Sequence, residues 1–361
     1  MKRVFNFNPG PATLPLQVLE TAQKEFIDYK NTGMSIMEHS HRGKDFEAVV
    51  NEADTLFHEL WNIPSNFKVL FLQGGASSQF FMVPMNLAGD KTVDYISTGV
   101  WSEKAIKEAQ ILGKKVNIVA DTKDTNHNKI PKQGDLKLTP DAAYVHITTN
   151  NTIFGTQWHY TPDTKGVPII ADMSSDALSY PLDFSKFGMV YAGAQKNLGP
   201  SGVAVVIIRE DLMEREPKTI PTMLKYSTHA KENSLYNTPP SFSIYMINLI
   251  LKWVKSEGGL IKMEERNQKK AGMVYDAMDN SNGFYKGHAE KDARSLMNVT
   301  FVLAKKELDD VFAKEAAAAG LVGLKGHRSV GGMRASIYNA MPVEGCEKLA
   351  QFMNDFAKKN K

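Results

Sequence analysis

The most informative segment of the chain is YAGAQKNLGPSG at residues 191–202, in which Lys196 lies among small, uncharged residues. Apolar runs flank this segment, FGMVY at residues 187–191 and VAVVII at residues 203–208. Such runs predict two buried strands joined by a tight turn. Burial lowers the pKa of a lysine and exposes the neutral amine that forms a Schiff base, although a structural ion pair also explains a buried lysine.

A second polar residue, Asp172, follows the apolar run VPIIA at residues 167–171. Alone it could cap a helix or pair with an arginine. The carboxyl ends of neighbouring parallel strands meet at one edge of a sheet, so Asp172 and Lys196 are expected to lie close together. Enzymes that use pyridoxal 5′-phosphate (PLP) need this pair, because an aspartate holds the pyridinium nitrogen and a lysine carries the aldehyde carbon.

Apolar strands alternate with amphipathic helices over residues 67–208. This order predicts an α/β fold with a mostly parallel sheet that helices cover on both faces. Towards the end of the chain, short strands between helices predict a smaller α+β domain. We therefore expect an N-terminal segment at residues 1–15, a large PLP-binding domain at residues 16–261 and a small C-terminal domain at residues 262–361.

The composition fits two globular domains and argues against several classes of protein. Of the 361 residues, 42% are hydrophobic and 23% are charged, and the net charge is +3. This balance predicts no nucleic-acid partner, and no apolar run approaches the roughly 20 residues that span a membrane. The one cysteine, Cys346, and the polar start of the sequence predict a cytoplasmic protein without disulfides.

Three further features follow predicted strands. The run QGGASS at residues 73–78 opens a helix, where free N–H groups bind phosphate, although a serine-capped turn explains it equally well. Trp101 could stack on a flat heterocycle or fill the core. Thr152 could bind a ring oxygen or stabilise a turn. Together with Asp172 and Lys196, these residues form a consistent cradle for PLP.

Histidine and arginine cluster in two segments, HSHR at residues 39–42 and GHRSVGGMR at residues 326–334. Arginine makes bidentate contacts to carboxylates and phosphates, so these clusters predict an anionic ligand. A solvated basic loop is the alternative. A metal site is not expected, because neither cluster has a cysteine or an acid at the spacing of metal ligands.

The sequence resembles the phosphoserine aminotransferases along almost the whole chain. These enzymes are class V aminotransferases with the aspartate-aminotransferase-like fold of type I PLP enzymes. The resemblance rests on eight segments, which are NFNPGPA from residue 6, EHSHR from 38, QGGASSQF from 73, GVWS from 99, TNNT from 149, AGAQKNLGPSG from 192, YNTPP from 236 and GHRSVGGMR from 326.

The resemblance implies a homodimer that interconverts L-glutamate and 3-phosphohydroxypyruvate with 2-oxoglutarate and O-phospho-L-serine, a step of serine biosynthesis. Bacterial members of the family often also act on a phosphorylated threonine analogue in vitamin B6 synthesis. By position, Lys196 would hold PLP and move a proton between the substrate α-carbon and the cofactor. Asp172 would keep the ring nitrogen protonated, Trp101 would stack on the ring, and Thr152 would bind its 3-hydroxyl group.

The remaining site residues are also implied by the resemblance. The PLP phosphate would be held by Ala76, Ser77 and Gln195, with Asn237 and Thr238 reaching it from the partner subunit. The substrate α-carboxylate would bind Arg334, and its distal anionic group would bind His41, Arg42, His327 and Arg328. Some family members carry an arginine where this chain has Ser77, so the distal site has one candidate cation fewer.

Two alternatives stay open from the sequence. Another fold-type-I aminotransferase could act on a small acid such as glyoxylate, although two His-Arg pairs exceed what that substrate needs. A non-catalytic protein that binds a phosphorylated ligand could share the fold. Lys196 discriminates against the second alternative, because a binding protein has no need of an imine.

Overall fold

The computed structural model describes residues 3–360, so Met1, Lys2 and Lys361 of the predicted terminal segments lie outside the described residues. The helices are α1 (Leu16–Lys24), α2 (Lys44–Trp61), α3 (Gly75–Leu87), α4 (Val100–Ile111), α5 (Glu210–Met213), α6 (Tyr226–Lys231), α7 (Ser241–Ser256), α8 (Gly259–Asp279), α9 (Asp309–Ala318) and α10 (Val343–Asn360). The strands are β1 (Phe5–Asn6), β2 (Phe67–Leu72), β3 (Val93–Ser97), β4 (Val116–Asp121), β5 (Val145–Thr148), β6 (Asn150–Asn151), β7 (Thr156–Gln157), β8 (Ile169–Asp172), β9 (Phe187–Gly193), β10 (Ala204–Arg209), β11 (Tyr285–Gly287), β12 (Asn298–Leu303), β13 (Leu321–Val322) and β14 (Met333–Ser336).

A seven-stranded sheet forms the centre of the larger part of the fold, in the order β2-β10-β9-β8-β5-β3-β4. Strand β10 runs antiparallel to both of its neighbours, and the other pairs are parallel. The connection from β9 to β10, residues 194–203, is too short for the crossover that a parallel pair needs, so the chain reverses there. The predicted α/β fold with a mostly parallel sheet is confirmed.

The register of this sheet brings the ends of its parallel strands to one edge. Leu72 at the end of β2 and Gly193 at the end of β9 both pair with Ala204. Thr148 at the end of β5 pairs with Asp172 at the end of β8. The residues that follow these strands therefore lie at the same edge of the sheet, which is where ligands bind in sheets of this type.

Helices cover both faces of the sheet. Apolar residues recur at helical spacing along α2, where Phe46, Val49, Ala53 and Phe57 are buried. Helix α2 packs with α1 and α7 on one face of the sheet, and α3 and α4 pack on the other. Within residues 3–360, no helix is both long and apolar enough to cross a lipid bilayer.

A second core lies around the three-stranded antiparallel sheet β11-β12-β14 and the helices α8, α9 and α10. The start of the chain joins this core, because Phe7 is buried in it and β1 pairs in parallel with β13. Helix α8 begins at Gly259 and therefore crosses the predicted boundary between residues 261 and 262. The division into domains stays a prediction.

A buried lysine joins helix α8 to the segment after β14. Lys270 is 0% exposed, and its Nζ donates to the carbonyl oxygens of Ile337 and Tyr338 at 2.9 and 2.7 Å. Burial lowers the pKa of Lys270 to about 7, although the Cys346 thiol opposes the shift. The folded chain therefore releases this proton at a pH where the unfolded chain still holds it.

We expect the native chain to gain stability with rising pH relative to the variant Lys270→Met. Between the folded pKa of about 7 and the ordinary lysine value of 10.5, the unfolded state binds the extra proton, so the free energy of unfolding rises with pH. The difference in the free energy of unfolding between the native chain and Lys270→Met should grow in favour of the native chain by about 1 kcal/mol per pH unit. Urea denaturation across this window measures the shift, with Lys269→Met at the exposed neighbouring position as the control. Parallel stability curves for the native chain and Lys270→Met would contradict the lowered pKa.

Candidate active site

A cavity of about 420 Å³ lies at the edge where the parallel strands end. It is lined by nine of the residues that the sequence predicted for the site, which are Ala76, Ser77, Trp101, Thr152, Asp172, Gln195, Lys196, His327 and Arg334. The structure therefore brings together residues that are far apart in the chain, because each follows a strand that ends at this edge or comes from the second core.

Lys196 lies on the turn after β9, at the base of the cavity. Its Nζ donates to Thr152 Oγ1 at 2.7 Å and lies 5.5 Å from the centre of the Trp101 ring. Burial lowers the pKa of Lys196 to about 8, although the charge of Asp172, and that of Asp176 when it is ionised, oppose the shift. A substantial fraction of the amine is therefore neutral near physiological pH, as a nucleophilic lysine requires.

Asp172 is the last residue of β8 and is buried. Its Oδ1 accepts hydrogen bonds from the backbone N–H of Ser174 at 2.9 Å and from the Ser174 hydroxyl at 2.6 Å. Burial raises the pKa of Asp172, whereas the Ser174 hydrogen bonds and the Lys196 charge lower it. Both donors reach Oδ1, which leaves Oδ2 for a ligand in the cavity.

The first turn of helix α3 forms one end of the cavity. Gly74 and Gly75 have positive φ angles of 87° and 64°, and a Cβ on Gly74 would lie 1.8 Å from Ser78 Oγ. Only glycine fits this turn without a shift of Ser78. The N–H groups of Ala76 and Ser77 lie in the first helical turn, where the helix supplies no acceptor, so they can bind an anion.

Several polar atoms around the cavity are buried and have no hydrogen-bond partner among residues 3–360. They are the indole Nε1 of Trp101, the hydroxyl of Thr148 and the Nε of Arg334. Buried polar atoms of this kind are normally satisfied by a ligand or water. A flat ring beside Trp101, with a phosphate at the start of α3 and a ring nitrogen at Asp172, matches this set of groups. The residues present therefore fit PLP.

Arg334 brings a guanidinium from β14 of the second core into the same cavity. It is 7% exposed, and its Nη1 donates to the carbonyl oxygen of Thr152 at 3.2 Å. Burial lowers the pKa of Arg334. Burial and the positive charges of Arg334, Arg328 and Lys104 lower the pKa of His327. This positive surrounding favours an anionic ligand.

Five predicted residues do not line the cavity, which are His41, Arg42, Asn237, Thr238 and Arg328. Three of them, His41, Asn237 and Thr238, form a separate group, in which His41 Nδ1 lies 3.3 Å from Thr238 Oγ1. The Thr238 carbonyl oxygen accepts hydrogen bonds from Gln73 and Asn237 at 3.3 Å. Arg42 and Arg328 are exposed. The group lies beside the start of α3, because Gln73 directly precedes Gly74.

Some residues of the cavity were not predicted from the sequence. Pro9 and Gly10 form part of its wall, and Ser174 holds Asp172. Gly10 has a φ of 142°, and a Cβ there would lie 3.3 Å from Lys196 Cγ. The NPGP motif at residues 8–11 predicts an irregular segment. Its contact with Lys196 was not predicted, because the two are far apart in the sequence. Among residues 3–360, no group of three or more histidine, cysteine or acidic side chains could hold a metal ion.

We expect Gly10→Ala to weaken PLP binding, because the new Cβ would crowd the Lys196 side chain. Gly33→Ala is the matched control, since Gly33 also has a positive φ, of 79°, but a Cβ there has open space. A strain of about 1–3 kcal/mol at the site corresponds to roughly fivefold to 150-fold weaker binding. Titration of the PLP-free protein with PLP, followed by absorbance, gives the two affinities. Equal affinities for the two variants would show that Gly10 does not limit the position of Lys196.

Comparison with known sequences agrees with this site. The chain matches the model of the aminotransferase class-V family over residues 4–349. It is 61% identical over 357 residues to the phosphoserine aminotransferase of Herpetosiphon aurantiacus, with 99% of each chain covered.

Solved structures lead to the same family. The phosphoserine aminotransferase from Bacillus circulans subsp. alkalophilus superposes with a TM-score of 0.98 at 55% identity, with 100% of both chains covered. A PLP-bound phosphoserine aminotransferase from Trichomonas vaginalis, 41% identical, superposes with a TM-score of 0.93 over 97% of this chain and 99% of that one. The chain therefore belongs to the phosphoserine aminotransferase family of class V aminotransferases, whose cofactor is PLP.

Proposed function

We propose that this protein transfers the amino group of L-glutamate to 3-phosphohydroxypyruvate, giving 2-oxoglutarate and O-phospho-L-serine. The observation that carries the proposal is the Lys196 amine, which lies 2.7 Å from Thr152 Oγ1 in a cavity that also contains Asp172 and Arg334. The similarity to phosphoserine aminotransferases over the whole chain supports this substrate pair.

Bound PLP supplies an aldehyde that takes up the amino group and a ring that accepts electrons from the substrate α-carbon. Lys196 would hold the aldehyde carbon at rest, and its neutral Nζ would then take the proton from the substrate α-carbon and deliver it to the cofactor carbon that receives the amino group. Thr152 orients this amine through its hydroxyl. Asp172 Oδ2 would keep the ring nitrogen protonated, which strengthens the ring as an electron acceptor.

The other cavity residues would bind the anionic groups of cofactor and substrate. We assign the PLP phosphate to the first turn of α3, at Ala76 and Ser77, together with Gln195. Trp101 would stack on the ring. Arg334 would bind the α-carboxylate, because a partly buried guanidinium binds a carboxylate with two parallel hydrogen bonds.

The distal anion of the substrate is assigned to His41, Arg42, His327 and Arg328. His327 lines the cavity, whereas the other three lie outside it in the same subunit. Both substrates have two anionic ends, so a site for them needs a second cationic group besides Arg334. Because residue 77 is a serine and not an arginine, the second cationic group would come from the histidine and arginine clusters.

We also propose a homodimer in which Asn237 and Thr238 complete the phosphate site of the partner. In support, neither residue lines the cavity of its own subunit. Exposed apolar side chains lie on and near α1, including Leu16 at 49%, Phe26 at 47% and Ile27 at 81% exposure. Several exposed apolar side chains on one segment are typical of an interface, and their chemistry suits a second copy of the chain.

The substrate pair can be tested by the absorption of the purified protein with PLP. We expect a visible band from PLP bound to lysine that is lost on adding L-glutamate and returns with 3-phosphohydroxypyruvate. Lys196→Ala should lose the band and all turnover. Lys104→Ala is the control, since Lys104 also lines the cavity, 4.6 Å from the Trp101 ring centre, and should keep the band.

Each other outcome of this experiment points to one of the alternatives. A band that glutamate does not change would indicate another amino donor, and a band that glyoxylate but not 3-phosphohydroxypyruvate restores would indicate a small-acid aminotransferase. Unchanged turnover in Lys196→Ala would contradict the mechanism. The reaction of vitamin B6 synthesis and a cytoplasmic location stay predictions from the sequence.

The contribution across the interface can be tested by mixing two inactive variants. Lys196→Ala keeps Asn237 and Thr238, and the double variant Asn237→Ala/Thr238→Ala keeps Lys196. If these groups meet across the interface, mixed dimers contain one complete site and recover activity that neither variant has. If Asn237 and Thr238 serve their own subunit, refolding the two variants together restores nothing.

A further inference from the structure

Two buried carboxylates lie at the end of strand β8 and on the turn that follows it. Asp172 is 4% exposed and Asp176 is 0% exposed. The segment between them folds back on itself, because the N–H groups of Asp176 and Ala177 donate to the carbonyl oxygen of Met173 at 3.2 and 2.8 Å. Two neighbouring carboxylates in a desolvated interior rarely both carry a charge, since their repulsion adds to the cost of burial.

The surroundings of Asp172 stabilise a charge. Its Oδ1 accepts two hydrogen bonds from Ser174, and the Ser174 hydroxyl is itself held by the N–H of Gly193 at 3.1 Å. The Lys196 ammonium adds a favourable Coulombic interaction. Short hydrogen bonds from donors with fixed positions are what an ionised carboxylate requires.

The surroundings of Asp176 are poor in donors. One contact is short, between its Oδ1 and Thr149 Oγ1 at 2.6 Å. The other two are long, from Gln157 Nε2 and the Tyr180 hydroxyl to Oδ2, both at 3.4 Å. Gln157 cannot turn its amide to improve the contact, because its Oε1 accepts from the Leu296 N–H at 2.8 Å.

The Thr149 hydroxyl has one proton and lies near two acceptors. Besides Asp176 Oδ1, it is 3.1 Å from the carbonyl oxygen of Asp172. A hydroxyl donates once and accepts through its lone pairs. Both contacts are hydrogen bonds if Asp176 carries a proton and donates it to Thr149, while Thr149 donates to the Asp172 carbonyl oxygen.

We propose that Asp176 is a protonated carboxylic acid that positions Asp172 through Thr149 and leaves Asp172 as the charged member of the pair. Asp176 is thus a positioning residue, and the proposal rests on the role of Asp172 proposed above. Burial raises the pKa of Asp176 to about 7, and the Asp172 charge raises it further; the Thr149 hydroxyl opposes this shift only where Asp176 is ionised and accepts from it. Lys196 is the positive group that opposes this shift.

We expect the proton on Asp176 to exchange with solvent, because the residues that contact Asp176 line a cavity that reaches the surface. Thr149, Gln157 and Tyr180 line this cavity of about 170 Å³, and so does the exposed residue His159. Deuterium from heavy water should therefore replace this proton, which allows the group to be identified by its isotope shift.

Infrared spectroscopy of the PLP-free protein tests the protonation state directly. At pH 6, below the pKa of Asp176, the difference between the native chain and Asp176→Asn should contain the C=O band of a protonated carboxylic acid, and this band should shift in heavy water. The difference for Asp172→Asn should contain carboxylate bands. Carboxylate bands in the Asp176→Asn difference would overturn the proposal.

Kinetics of two matched variants test the positioning role. Asparagine can donate to Thr149 as the protonated acid does, whereas leucine of similar size cannot. We expect Asp176→Leu to lower kcat by about tenfold with little change in KM, and Asp176→Asn to recover most of that loss. Equal losses in both variants, or an Asp176→Asn chain that does not fold, would show that the charge of Asp176 is needed and contradict the proposal.

The variant Asp172→Asn and the infrared measurement separate this inference from the proposed function on which it rests. If Asp172→Asn leaves the absorption of bound PLP and its pH dependence unchanged, the role of Asp172 is wrong. The infrared band of Asp176 is measured without PLP, so it reports the proton on Asp176 whatever the outcome for Asp172.

Discussion

Burial of the Lys196 amine is the constraint on which the rest of the site depends. Desolvation favours the neutral amine, but the nearby charge of Asp172 favours the ammonium, and the two effects leave the pKa at about 8. Asp172 can stay charged in this interior because Ser174 supplies two hydrogen bonds to it. One desolvated cavity therefore contains two groups with different charge states. Asp172 keeps its charge, and Lys196 can lose its proton.

The large sheet and the second core meet at this cavity, so neither can shift without moving part of it. The Asn339 N–H of the second core donates at 3.0 Å to Asn197, the residue after Lys196. The Tyr338 hydroxyl donates at 2.6 Å to the carbonyl oxygen of Pro9 in the cavity wall. Arg334 donates to the carbonyl oxygen of Thr152. Because Thr152 also contacts Lys196, an anion bound by Arg334 would lie at a fixed distance from the lysine amine.

The sequence predicted the parts of the site that depend on strand ends, and it could not predict those that depend on long-range packing. The positions of Asp172 and Lys196 follow from apolar runs and the geometry of parallel sheets. The reversal of β10 was not predicted, although the short connection after Lys196 explains it. A role for Asp176 was not predicted, because its partners Thr149 and Gln157 come from another part of the chain. Contacts of this kind have no periodic signal in a sequence.

The distribution of positive groups bears on how a dianionic substrate could be selected. Arg334 and His327 line the cavity, but Arg42 is exposed and His41 contacts Thr238 outside that cavity. Since His41 and Thr238 are in contact, a dimer that brings Thr238 to the partner's cavity also brings His41 there. Recognition of the distal anion would then depend on assembly, and one subunit alone would bind the α-carboxylate with little preference for what lies at the other end of the substrate.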